Sequence, residues 1–147
     1  MTPEQKTKLA SMFAKEHVAV IVTQGDQWPT ATMQAFAETE ALDLLFIMGR
    51  DSEKFQNALR SRYVTVLVDT RDVGDIPKFQ VARASVQGMA EEVARDGAEW
   101  EPLKAIFLAK NPFEAPFFGN EQLRMLRVRP KRISYAGPPR EAFKVEL

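Results

Sequence analysis

Leu9, Met12 and Phe13 recur at helical spacing behind Thr2-Pro3-Glu4-Gln5. That tetrapeptide supplies a capping hydroxyl, a proline for the first turn and a Gln three residues after the cap, which together satisfy orphan amides of a helix start. An amphipathic opening helix is predicted. The period then shortens to that of a strand. Val18-Ala19-Val20-Ile21-Val22-Thr23 is rich in β-branched residues, and Gln24 to Gln27 carries turn chemistry before Trp28-Pro29. A hairpin into a second strand, Thr30 to Ala37, follows.

After a turn at Glu38 to Ala41, Leu42 to Met48 reads as a third strand that stops at Gly49. Asp51 or Ser52 can cap a short helix whose Phe55, Ala58, Leu59 and Arg62 share one face. Tyr63-Val64-Thr65-Val66-Leu67-Val68 is a buried-looking fourth strand. Asp69 to Lys78, with Gly74 and Pro77, reads as a loop before a long strand from about Phe79 to Val93, bent or bulged at Gly88. Asp96 with Glu99 suits a capping box for a helix through Trp100, Leu103, Ile106, Phe107 and Lys110, regular from near Glu101 because of Pro102. Two closing strands, Leu123 to Arg129 and Ile133 to Ala136, are expected on either side of Pro130-Lys131-Arg132, with Gly137-Pro138-Pro139 as the stop. Six or seven hairpin-linked antiparallel strands with about three helices make a mainly β, α+β chain, best closed or nearly closed into a barrel.

Composition narrows the chemistry. The 147 residues include no Cys and one His, His17, so disulfides, thiolate metal sites and cysteine nucleophiles are excluded and no metal site is expected. The length and a 45% apolar share fit one domain, residues 1–147. Val18 to Val22 is far too short for a membrane span, and the charged, helical start does not read as a signal sequence, so a cytoplasmic protein without membrane contact is expected. Five cations lie between Arg124 and Arg132, but 20 Lys plus Arg against 20 Asp plus Glu leave zero net charge, which argues against nucleic acid as a partner. Arg127 and Arg129 read instead as residues of a solvent-facing strand surface or as partners of acids across a dimer. No dinucleotide loop, Walker motif or serine elbow is present, and no catalytic residue stands out.

The most informative stretch is Phe46-Ile47-Met48-Gly49-Arg50-Asp51-Ser52-Glu53-Lys54. A strand enters a tight turn and a helix start, where backbone amides, the Ser52 hydroxyl and the Lys54 ammonium can converge on a phosphate. The alternative is that Ser52 only caps the helix and Lys54 is solvated. Pro112 to Phe118 is the densest aromatic segment, suited to packing over a barrel mouth or against a second subunit.

Taken in succession, the Ser-x-Lys turn, the Tyr63 to Val68 strand, Gln87-Gly88-Met89-Ala90-Glu91-Glu92-Val93 and Leu126-Arg127-Val128-Arg129-Pro130-Lys131-Arg132-Ile133-Ser134-Tyr135 resemble the pyridoxamine 5′-phosphate oxidase-like FMN-binding split barrels. The resemblance implies a split β-barrel homodimer holding flavin mononucleotide at the subunit interface. It implies phosphate contacts at Ser52 and Lys54, with Ile47, Met48 and Gly49 on the strand end beside them. It places Arg83 near the flavin, where it could replace a cation missing from the second strand, and lets Gln34 and Gln87 touch the ring. The family commonly has Thr or Ser where this chain has Met48, and Arg where it has Glu53. An FMN-dependent oxidoreductase or flavin carrier acting on an unknown small molecule is therefore expected, rather than pyridoxamine phosphate oxidation itself. The alternative is a non-enzymatic dimer that has lost FMN or binds deazaflavin or heme.

Overall fold

The computed structural model describes residues 1–71, 77 and 80–147. Helix α1, Pro3–Lys15, starts with a reciprocal capping box: Thr2 Oγ1 accepts from the Gln5 amide at 3.2 Å, and the Gln5 side chain accepts from the Thr2 amide at 2.8 Å. Its Leu9, Met12 and Phe13 are buried. Strands β1 (Val18–Gln24) and β2 (Pro29–Ala35) form the expected hairpin. Gly25 is required at its tip, because a Cβ there would lie 2.6 Å from the Trp28 carbonyl oxygen. β2 stops short of Ala37: Phe36 turns a fully buried ring into the core, and the chain resumes as the two-residue β3 (Ala37–Glu38).

Strand β4 (Leu44–Gly49), helix α2 (Glu53–Arg60) and strand β5 (Tyr63–Asp69) follow in the expected order, but β4 starts after Leu42, whose φ of 68° is a turn conformation, and of the expected helix face Phe55 and Ala58 are buried while Leu59 is exposed and Arg62 lies beyond the helix end. The described part of β6 is Arg83–Val93; the expected start at Phe79, and most of the loop before it, lie outside the described residues. Helix α3, Trp100–Lys110, lacks the expected capping box. Glu99 is its cap residue but bonds no amide, because Arg127 holds its carboxylate. Residues Pro112–Gly119 then form a 3-10 helix.

The two closing strands expected around Pro130 are one strand, β7, Leu123–Gly137. Proline removes an amide from a ladder, and a bulge absorbs the defect. Gly88 faces Pro130 while Gln87 faces Arg132, which leaves Lys131 without a register partner on β6. Gly88 is the residue that permits this approach, since a Cβ would sit 2.5 Å from the Arg129 carbonyl oxygen. Beyond Gly137 the chain turns and returns as β8, Glu141–Glu146, where the sequence reading expected a stop.

All strand pairs are antiparallel, in the order β2-β1-β5-β6-β7-β4-β3, with β8 on the carboxyl half of β7. β7 thus carries β4 along its first half and β8 along its second. The sheet curls into an α+β split barrel around Ile21, Phe36, Phe46, Phe55, Val66, Val86 and Leu126. A second apolar layer, Trp100, Leu103, Phe107 and Phe118, packs over Leu45, Val93 and Met125 on the outside. Across the gap in strand order, Gln34 Nε2 on β2 donates to the Ile47 carbonyl on β4 at 3.1 Å. Among the described residues no helix is long and apolar enough to cross a membrane.

Candidate functional site

The corner between β4 and α2 is shaped by Ser52. Its hydroxyl donates to the Gly49 carbonyl at 2.8 Å and accepts from the Phe55 amide at 3.4 Å, while Gln56 Nε2 ties down the Arg50 carbonyl at 2.8 Å. Ser52 is therefore a helix cap first, and its hydroxyl is already engaged. The first-turn amides of α2 lack carbonyls of their own helix to bond and carry the positive end of its dipole. Gly49 is exposed, and nothing lies within 4 Å of the position a Cβ would take there.

Lys54 completes the corner. Its side chain is half-buried and has no hydrogen bond or ion pair among the described residues, and burial pushes its ammonium below the usual lysine pKa. Such a group is short of a counter-charge. The neighbouring acids are partly occupied elsewhere: Glu53 Oε1 accepts from Thr30 Oγ1 at 3.3 Å, and Asp51 lies 3.5 Å from the Arg50 guanidinium. A phosphate fits this set of donors.

The other residues singled out by sequence divide into two groups. Gln34 and Ile47 bond each other at the β2–β4 closure, where Gln34 Oε1 remains buried without a partner. The Met48 side chain points into the barrel core, only 5% exposed, so it offers no side-chain contact to a ligand. Arg83 and Gln87 lie on the outer face of β6, in two separate grooves. Arg83 shares its groove with Ser85, Ser134 and Lys144, and Lys54 lines neither groove. Within one chain Arg83 does not supply the cation expected beside Lys54. Lys144 escaped the sequence reading because β8 did; the alternation Ala142-Phe143-Lys144-Val145 was its signal.

Arg127 is also not a surface decoration. It is buried, with its guanidinium 2.6 Å from Glu99 and 2.6 Å from Glu91, which Arg129 also meets at 2.8 Å. This cluster ties the start of α3 to β6 and β7. In the 3-10 segment Phe118 packs edge-on to Trp100, whereas Phe113 and Phe117 are exposed.

Residues 5–137 match the sequence profile of pyridoxamine 5′-phosphate oxidase. The chain belongs to that family. The family's fold recurs in solved structures of low identity. A heme-binding protein from Mycobacterium smegmatis superposes with a TM-score of 0.87 at 14% identity over 99% of this chain, which spans 59% of that protein. The heme storage protein HutZ from Vibrio cholerae gives 0.69 at 16% identity, covering 99% of this chain and 95% of its own. An FAD-binding protein from Mesorhizobium loti gives 0.69 at 14% identity, covering 92% and 94%. No curated protein matches the sequence significantly. The chain thus shares its fold with solved proteins described as binding different ligands, heme and FAD.

Proposed function

We propose that this protein is a homodimeric, FMN-binding oxidoreductase or flavin carrier whose cofactor phosphate sits at the β4–α2 corner. The observation that carries this reading is Lys54, a half-buried ammonium without a counter-ion among the described residues. In the proposed site Lys54 offsets the phosphate charge, the Glu53 and Lys54 amides at the start of α2 bond its oxygens, and Gly49 leaves room for approach. The closure bond from Gln34 fixes the Ile47 backbone beside that corner. When bound, the flavin supplies the hydride or electron transfer, and this chain binds, orients and shields it. Its redox partner is a small organic molecule.

The dimer is proposed to form over the outer face of β1, β2 and β5. There Val20 and Val22 are half-buried, and Met33 and Tyr63 are 59% and 76% exposed. Covering such a patch on a second copy is the usual way to remove it from water. Heme is the second ligand reading. The heme-binding proteins of the same fold support it, as does Tyr63, an exposed phenol able to ligate iron.

The visible spectrum of the purified protein, followed by titration with FMN, tests both readings. Flavin bands or saturable FMN binding lost in Lys54→Ala support the first. A Soret band with no FMN binding supports heme. A colourless protein that binds neither overturns both.

A further inference from the structure

Three polar ties fasten α2 to the β1–β2 hairpin at helical spacing. Glu53 Oε1 accepts from Thr30 Oγ1 at 3.3 Å, buried Asn57 Nδ2 donates to Thr23 Oγ1 at 3.2 Å, and the Arg60 guanidinium lies 3.8 Å from Asp26. Thr23 and Thr30 face each other in the hairpin register, so the helix is clipped across both strands. The first tie differs from the others in its place. It holds a carboxylate at the opening turn of α2, against β2.

Covalent geometry puts this acid in the β4–α2 corner. A phosphate on the Glu53 amide lies within roughly one Debye length, about 8 Å, of the carboxylate on the same residue, so solvent screens their repulsion only in part. No cation offsets Glu53: it has no ion pair among the described residues, whereas Asp51 lies 3.5 Å from Arg50. The facing strand adds none, since Pro29 to Ala37 contains no charged side chain. With Arg50 and Asp51 matched, Lys54 and Glu53 cancel. A singly charged phosphate group leaves the filled corner with one excess negative charge, and a doubly charged one leaves two.

We propose that Glu53 is a specificity-determining residue of this corner: its carboxylate, fixed by Thr30, discriminates against the second negative charge of a phosphate monoester and favours a phosphodiester. The inference rests on the flavin reading of the Lys54 corner and deepens it, because it states which ionic form of the cofactor's tail the corner is built to hold. Glu53→Gln removes the charge but keeps a carbonyl oxygen for Thr30, so the clip between helix and hairpin survives.

Flavin fluorescence titrations of the unmodified protein, Glu53→Gln and Lys54→Ala decide it, at pH about 8, where the monoester of FMN is doubly charged. The second ligand is riboflavin 4′,5′-cyclic phosphate, a diester with one charge. Coulomb repulsion scales with the charge repelled, so Glu53→Gln should tighten FMN about tenfold and the cyclic ester only about threefold. A purely structural role for Glu53 would move both esters alike. Equal gains, or no gain with FMN, would overturn the inference. If Lys54→Ala weakens FMN about tenfold while Glu53→Gln changes nothing, the flavin reading stands and this inference alone fails. FMN affinity unaffected by Lys54→Ala takes the phosphate out of the corner and overturns both.

Discussion

Gln34 on β2 and Ile47 on β4 are joined by a side-chain to backbone hydrogen bond of 3.1 Å, although their strands lie far apart in the order of the sheet. The bond draws the two ends of the curl together, and it anchors the strand that feeds the proposed phosphate corner. Gln34→Ala leaves the Ile47 carbonyl without this donor in a partly buried place. A loss of about 1–2 kcal/mol is expected in urea unfolding. Unchanged stability would mean that the closure is held by packing alone.

Removal of the Lys54 charge should separate stability from binding. Burial lowers the ammonium's pKa, so between its folded and unfolded values the unfolded chain holds more protons and stability rises with pH. Lys54→Met should therefore make the ligand-free protein at least as stable at neutral pH, and flatten the gain seen on the alkaline side below the usual lysine pKa. Its affinity for FMN should fall about tenfold or more. Denaturant curves across pH, paired with flavin titration, read the two effects.

The Arg127 cluster should set acid sensitivity. Partial burial pushes Glu91 up, but hydrogen bonds and charges from Arg129 and Arg127 outweigh it and leave the carboxyl below its usual range. Glu99 is held below that range by its hydrogen bond and attraction to Arg127. Depressed carboxyl pKa values contribute stability that is present above the unfolded-state value and lost as pH falls through the folded one. Asp43 acts in the opposite sense: burial raises its pKa despite Arg129 and Arg127, so its contribution is lost as pH rises. Glu99→Gln should reduce the loss of stability between the ordinary glutamate range and lower pH. Buried Trp100, next in the chain, reports it by fluorescence.

Gly88→Ala tests the bulge. A Cβ placed 2.5 Å from the Arg129 carbonyl oxygen and 2.9 Å from the Val128 side chain forces one backbone away from the other. Destabilisation of about 2–3 kcal/mol is expected from such overpacking, measurable by thermal or denaturant unfolding. A mild effect would show that β6 and β7 can separate here at little cost.

Local chemistry made much of this fold readable. The Thr2–Gln5 box, the β-branched runs of β1 and β5, and the Gly49–Ser52 turn into α2 depend on neighbours in sequence, and each formed where those neighbours require. Elements decided by distant contacts were misread. Pro130 looks like a strand break because the residue that accommodates the bulge beside it, Gly88, faces it from β6, and β8 is hidden behind Gly137-Pro138-Pro139. Glu99 suited a capping box until Arg127, remote in sequence, took its carboxylate. The same division holds for the site. Ser52 and Lys54 lie together as their spacing implies, whereas Arg83 keeps company with Lys144, a pairing only the β7–β8 register creates.

β7 runs for 15 residues without an intervening loop, from the α3 layer to the rim formed by β8. The Arg127 cluster and the groove shared by Arg83 and Lys144 therefore hang on one backbone, on opposite sides of the point where Lys131 has no mate on β6. Because one residue of β7 goes unmatched there, the inward-facing positions change from Leu126, Val128 and Pro130 to Ile133 and Tyr135, so the bulge decides which side chains each half of the strand turns outward.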